Sequence, residues 1–302
     1  MMIAILVIGI LALLVICVDL IDTHRLAVRS YEIATDRLSR DVKICLISDL
    51  HEKESGKENG KLIAAIRKEA PDLVISAGDL LTAGGTMTRD RMKGALHLMR
   101  ELASAYPVYA AYGNHEQKLS RDEERNGGDL MQTFEQTLAK DGVVLLRDAV
   151  AKEALPGLDI YGLEVPRPVM VRAEGVRFTD EDIRARIGAP DPARFSLLIA
   201  HDPAQMETYT AWGADLVLSG HVHGGIARLP LIGGVVAPPF VLFPKYDRGL
   251  FTETAGAHRT QMVISAGLGE HTLPLRFNNP RELVVITLKG KTSGTGSEAA
   301  GV

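Results

Sequence analysis

The sequence predicts an α/β fold, a sheet covered by helices on its faces. Three observations carry that expectation. Short apolar runs of strand length recur along the 302 residues, stretches with a helical apolar period separate the early ones, and the runs end on Gly, Asp, Asn or His. A chain of this length holds one large domain or two small ones, and its 46% apolar residues suffice for a packed core.

Taken in order, Met1 to Val18 carries no charged side chain and is dominated by Ile, Leu and Val. As a helix rising ~1.5 Å per residue it would span roughly 27 Å, enough to cross a bilayer. A cleaved signal peptide fits less well, because there is no basic n-region and no A-x-A-like site before Asp19. The expectation is a transmembrane anchor over residues 1–18, placing the protein at the cell membrane. The first basic residues, Arg25, Arg29, Arg37 and Arg40, all follow it, which leans the rest of the chain toward the cytoplasm under the positive-inside rule. Residues 19–41 form a linker with a first edge strand at Leu26–Val28 and Tyr31–Ile33.

Val42–Ile47 is a near-continuous apolar run, a buried strand ending at Ser48-Asp49-Leu50-His51. A polar loop follows, then a short amphipathic helix with Leu62, Ala65 and Ile66, stopped by Pro71. The pattern repeats with strand Leu73–Ala77 ending at Gly78-Asp79, and a helix over Thr88–Ala105 with Met92, Ala95, Leu96, Met99 and Leu102 on one face. Strand Val108–Tyr112 ends at Gly113-Asn114-His115-Glu116. Leu130–Ala139 reads as helix, Val143–Leu146 and Leu158–Leu163 as strands. Residues 164–194 are charged and proline-punctuated, a solvated insertion in which Thr179 and Asp182 pair as a helix cap and Gly188 is the stop.

Strand Phe195–Ala200 ends at His201-Asp202-Pro203, helix Ala204–Trp212 follows, and strand Asp215–Ser219 runs into Gly220-His221-Val222-His223-Gly224-Gly225. After the apolar, Gly/Pro-rich segment Leu229–Phe240, strands at Met262–Ser265 and Glu282–Leu288 close the fold.

Some function classes drop out on composition. The net charge is −4, with no basic block and few aromatics for stacking, so no nucleic-acid partner is expected. Cys17 and Cys45 make neither a disulfide framework nor a zinc-cysteine pattern.

Five strand tips share one grammar, with Asp49/His51, Asp79, Asn114/His115, His201 and His221/His223 at their C-terminal ends. That rim of an α/β sheet is where ligands bind, and five of the nine histidines fall on it. Carboxylate, amide and imidazole donors without thiolate suit Mn, Fe or Zn. The donors are too many for one four-coordinate ion, and two divalent metals bridged by a carboxylate fit better. Individually these residues also read as turn, capping or loop residues; their joint order argues otherwise.

Ser-Asp-Leu-His, Gly-Asp-Leu, Gly-Asn-His-Glu, Ala-His-Asp-Pro and Gly-His-Val-His-Gly-Gly, in that order, resemble the calcineurin-like metallophosphoesterases, and most nearly their bacterial membrane-associated branch. The resemblance runs from Val42 to Leu288. It implies a four-layer αββα sandwich with two central mixed β-sheets and a domain over residues 42–290; the Gly/Ser/Thr composition of residues 291–302 separately predicts a disordered tail. It implies one metal held by Asp49, His51, Asp79 and His223, and a second held by Asp79, Asn114, His201 and His221. His115 would stabilise the transition state or protonate the leaving oxygen. The implied activity is hydrolysis of a phosphomonoester, phosphodiester or pyrophosphate by a hydroxide bridging the two metals.

Weaker expectations concern Asn59, His271 and Arg276 as contacts to substrate phosphate, and Asp202 as an orienter of His201 or, more simply, an Asx-Pro turn. Segment Leu229–Phe240, next to the metal-binding turn, suggests a lipid-linked substrate; the plainer reading packs Leu231, Ile232, Val235 and Val236 in the core. Two other functions compete with this one. A non-catalytic scaffold of the same fold, used for protein binding, should show eroded ligand histidines, and none is seen. A metallo-β-lactamase-type hydrolase should show an early HxHxDH cluster, whereas this chain has Asp-x-His early and HxH late.

Overall fold

A computed structural model describes residues 2–126, 128–270 and 275–291. Helix α1 (Met2–His24) leads into β1 (Leu26–Ala34) and β2 (Val42–Ile47). Helices α2 (Gly60–Glu69) and α3 (Arg89–Ala103) flank β3 (Leu73–Ser76), and β4 (Val108–Ala110) runs into α4 (Asn114–Asn126). Helix α5 (Leu130–Lys140) precedes β5 (Val143–Leu145), β6 (Ala149–Leu155) and β7 (Leu158–Leu163). Next come α6 (Arg167–Met170), α7 (Asp180–Ile187), β8 (Phe195–Ala200), α8 (Met206–Trp212) and β9 (Leu216–Ser219). Two small ribbons pair β10 (Arg228–Leu229) with β11 (Gly233–Gly234) and β12 (Val236–Ala237) with β13 (Val241–Leu242). Strands β14 (Gly249–Ala255), β15 (His258–Ile264) and β16 (Arg281–Lys289) complete the chain.

The strands form two six-stranded mixed sheets, ordered β1-β16-β2-β3-β4-β5 and β14-β15-β9-β8-β7-β6. Side chains alternate across each strand, and both faces of the central strands are apolar, so each sheet must be covered twice. Ile44 and Leu46 of β2 meet Leu197, Ile199 and Leu218 of the second sheet in the layer between them. Their neighbours Cys45 and Ile47 pack instead with Leu62, Ile66, Met99 and Phe134 from the helices over the first sheet. Over the second sheet, Leu198, Val217 and Met262 pack with Ile183, Met206, Tyr209 and Trp212. Helix, sheet, sheet, helix is the four-layer α/β arrangement that the family resemblance implies.

Strands β2, β3 and β4 are mutually parallel, as are β8 and β9 in the other sheet. The polar residues following them therefore gather at common sheet edges. The caps expected from sequence are present: Thr88 receives Arg91 N, Thr179 and Asp182 form a capping box, and Gly188 ends α7.

Three expectations change. Met2–His24 is one helix of 23 residues, but among the described residues no helix is long and apolar enough to cross a membrane, so the transmembrane anchor over 1–18 is not borne out. Side chains 4, 5, 8, 11, 12 and 14 lie outside the described residues. The helix continues past Val18 into a polar end that docks on the domain: Asp19 accepts from Arg276 N at 2.6 Å and Asp22 from Asn279 N at 3.0 Å. Second, segment 164–194 is not simply solvated, because Val165, Val169, Met170, Ile183 and Ile187 are buried in the outer core of the second sheet. Third, Leu231 and Ile232 are exposed rather than packed, at the tip of the first ribbon. The tail expected over 291–302 lies outside the described residues from 292 onward.

Leu46→Ala, in the layer shared by both sheets, should cost about 2–5 kcal/mol in denaturant unfolding. A loss below about 1 kcal/mol would show that the sheets do not share a close-packed core.

Candidate metal centre

The strand tips are laced to one another by backbone bonds. Asp49 N donates to Gly78 O and His51 N to Asp79 O, both at 3.0 Å, while Gly220 N donates to His201 O at 3.1 Å. To aim inward, the backbone adopts left-handed φ at Asp49 (50°), His51 (48°), Asp79 (55°), His221 (71°) and His223 (48°). Each such non-glycine residue costs on the order of 1–3 kcal/mol and persists only where its surroundings over-determine it. Glycines supply the room. A Cβ at Gly220 would strike Ser48 Oγ and the Asp49 carboxylate, and one at Gly113 would strike the Asp79 carboxylate.

This lacing brings the sequence-predicted donors together. Ligand atoms of Asp49, His51 and His223 lie within 4.8 Å of one another, as do those of Asp79, His201 and His221, and a third group joins His51, Asp79 and His115. Asp79 Oδ2 is 3.0 Å from His201 Nε2 and 3.9 Å from both His51 Nε2 and His115 Nε2. Asn114 Oδ1 sits 2.8 Å from His221 Nδ1. Asp49 and Asp79 are buried, at 0% and 1% exposure, so their charge has no water to lean on.

Hydrogen bonds set the tautomers. His223 Nδ1 donates to Gly269 O at 3.2 Å and His201 Nδ1 to Ala77 O at 2.7 Å, which turns each Nε2 inward. The Nε2 atoms of His51 and His223 face each other at 3.2 Å. His115 is arranged the other way: its Nδ1 accepts from Ala83 N at 2.8 Å, so the neutral ring carries its proton on Nε2.

Burial holds His51 well below the ordinary histidine pKa and also lowers His221, which favours the neutral, ligating imidazole. Burial acts on His201 too, but the Asp79 and Asp49 carboxylates outweigh it and raise the ring to about 10. Burial opposes the charge of Asp79, yet the adjacent His201 holds it well below the usual carboxylate range. Two buried carboxylates facing inward-turned imidazole nitrogens are a donor set suited to divalent cations.

Two supporting residues carry more than sequence reading gave them. The buried Glu116 carboxylate accepts from Asp79 N at 2.9 Å, Gly113 N at 3.0 Å and Leu81 N at 2.8 Å, tying the second and third tips together. Burial and the nearby Asp79 raise its pKa to about 8. The available signal was an acid in the first turn of α4, directly after His115. Arg276 is 2% exposed, so the expectation of a phosphate contact is corrected. Its guanidinium donates to Gly269 O at 2.7 Å, Ala266 O at 3.0 Å and Gly267 O at 3.2 Å, clamping the loop whose Gly269 carbonyl orients His223. Asn59 is also buried, and accepts from Ser55 N within its own loop. Asp202 accepts from Ala204 N, the Asx-turn alternative. His271 lies outside the described residues.

A family model described as calcineurin-like phosphoesterase matches residues 42–225, the span that supplies every one of these donors. The chain belongs to this family. As a calcineurin-like phosphoesterase it is 26% identical over 249 residues to the metallophosphoesterase YkuE of Bacillus subtilis, covering 82% of this chain and 79% of that one. It is 28% identical over 269 residues to a metallophosphoesterase of Campylobacter jejuni, with 87% of this chain aligned. The phosphodiesterase YaeI of Escherichia coli is 27% identical over 204 residues, 66% of this chain. The chain spans 63% and 62% of the length of the last two relatives.

Glu116→Ala strands three buried N–H donors, and should destabilise the phosphoesterase by at least about 2 kcal/mol in chemical denaturation. Gly220→Ala should keep native circular dichroism while losing metal retention after gel filtration; full retention would mean the tips tolerate being spread.

Proposed function

We propose that this phosphoesterase hydrolyses a phosphate ester or anhydride with two divalent ions, one at Asp49, His51 and His223, the other at Asn114, His201 and His221, with Asp79 shared. The observation that carries the reading is the placement of Asp79 Oδ2 between ring nitrogens of both groups, 3.0 Å from His201 and 3.9 Å from His51. When bound, such ions polarise the phosphoryl oxygens and acidify a water as nucleophile; the oxygen and imidazole donors fit Mn, Fe or Zn.

The chain's own residues do the rest. Asp49, fixed by His221 N at 3.0 Å, and Asp79, fixed by His115 N at 2.9 Å from its Oδ1, keep the charge in register. His115 lines the cavity with Asn114 and His221, and because Ala83 N occupies its Nδ1, the neutral ring acts through Nε2–H as a hydrogen-bond donor that stabilises negative charge on the transition state and leaving oxygen. His221 and His223 divide between the two groups, so the turn they share straddles the pair.

A lipid-linked substrate is supported by the ribbons that follow this turn. Leu231, Ile232, Phe240, Leu242 and Phe243 are all exposed there, an apolar surface that water alone does not favour. The described apolar side chains of α1, among them Ile3, Leu6 and Ile10, are exposed as well. The chemistry then takes place beside a surface suited to acyl chains.

Aryl phosphate hydrolysis with added Mn should fall by about a thousandfold or more in Asp79→Ala, as expected when charge stabilisation at the reacting phosphoryl is lost. Equal rates in wild type and variant would overturn the reading. His221→Ala and His223→Ala should each cut the metal content of the dialysed protein from two ions to one by elemental analysis; two retained ions in both would refute the division. Leu231→Ser with Ile232→Ser should reduce turnover of micellar lipid phosphates while sparing soluble aryl phosphates; unchanged lipid turnover would remove the ribbons from substrate binding.

A further inference from the structure

One cavity adjoins the candidate metal centre and extends beyond it. It measures about 240 Å³, and Asn114, His115 and His221 form the wall nearest the centre. Lys118, Arg121 and Arg167 also line it, and no carboxylate does. That asymmetry is notable in a chain of net charge −4. Other surface hollows mix the signs: one sets Lys57, Arg67 and Lys68 beside Glu58 and Glu101, another sets Arg172 and Lys245 beside Asp202 and Glu207.

The cations reach this place by two routes. Asn114, Lys118 and Arg121 stand at i, i+4 and i+7 of α4, so one helix face carries a candidate metal donor and two positive charges toward the same space. Arg167 opens α6, whose Val169 and Met170 are buried in the outer core and fix its position. Most arginines of this molecule are spent on carboxylates, including Arg184 on Asp180, Arg186 on Asp148 and Arg194 on Asp159. Among the described residues Arg121 and Arg167 have no ion-pair partner, and Lys118 donates only to the Ala83 carbonyl, at 3.2 Å. Gln117 adds a neutral polar group, and Met170, Val171, Pro238 and Pro239 supply the apolar lining.

Uncompensated like charges around a concave space are unfavourable until an anion enters, and guanidinium groups match phosphate oxygens in shape and charge. We infer that this cavity is a subsite for a second phosphate group of the substrate, bound by Arg121, Arg167 and Lys118 while the first phosphate is held at the metal centre. The inference rests on the phosphoesterase reading and narrows it to substrates carrying two phosphates, joined by an anhydride or a short linker.

The test uses the full chain and a homologous series of alkanediol monophosphates and bisphosphates, from ethanediol to hexanediol. Phosphate release is followed with Mn-loaded protein, and binding is measured by calorimetry on the same Mn-loaded protein with the corresponding non-hydrolysable alkane phosphonates and bisphosphonates. At least one bisphosphate should be preferred over its monophosphate by about tenfold, mainly through KM and through calorimetric affinity, with the advantage shrinking at high salt. Arg121→Gln combined with Arg167→Gln should bring that ratio close to one. The Arg121→Lys, Arg167→Lys pair should retain part of it, which separates charge from folding damage. Arg259→Gln, on the exposed face of β15, should keep the wild-type ratio. A wild-type ratio near one across the series, or an unchanged ratio in the double Gln variant, overturns the subsite. The calorimetric arm needs no turnover. Absence of hydrolysis for every compound would therefore count against the phosphoesterase reading, while the binding ratio still decides the subsite.

Discussion

Two carboxylates, Asp49 and Asp79, are buried where the two sheets meet, and the rest of the structure is organised by the need to balance them. An isolated buried anion is prohibitively costly, so each must be hydrogen-bonded and matched by positive charge. Backbone donors do part of this: His221 N reaches Asp49 and His115 N reaches Asp79. In the metal-free chain, protonated His201 supplies a cation, drawn up to about 10 by those same carboxylates. Divalent ions in that space would relieve the same imbalance more fully.

Meeting that demand shapes the neighbourhood outward. Five candidate metal ligands take left-handed backbone conformations, and Gly113 and Gly220 are needed because a methyl group at either would hit a carboxylate. Glu116 collects three amides from the second and third strand tips, and Arg276 collects carbonyls of loop 266–269. One is a buried acid whose oxygens hold donors and the other a buried cation holding acceptors. Together they let strained tips persist on rigid parallel strands, which is how a few kcal/mol of local strain is tolerated.

Much of this was legible in the residues. Largely apolar runs such as Leu158–Leu163 and Phe195–Ala200 were read to the residue, because strands buried on both faces carry few polar side chains. The donor set was legible because Asp, Asn and His repeatedly stood at strand ends. The edge strands Ala149–Leu155 and Gly249–Ala255 were not, since their mixed, half-exposed sequences carry no clean period. Arg276 was misread for a different reason. A lone arginine near a presumed phosphate site looks like a phosphate ligand, and only its burial against main-chain carbonyls shows otherwise. The anchor expected over 1–18 rested on an uncharged, apolar stretch of bilayer length, and nothing in that stretch shows that Asp19 and Asp22 just beyond it bind the domain.

The central claim is that Asp79 joins two cation sites at the meeting of the two sheets. A crystal structure of the Mn-soaked protein with anomalous data at the manganese edge tests it most directly. Two peaks are predicted, one among Asp49, His51 and His223, the other among Asn114, His201 and His221, with Asp79 in contact with both. A single peak, or two peaks of which only one touches Asp79, would contradict it.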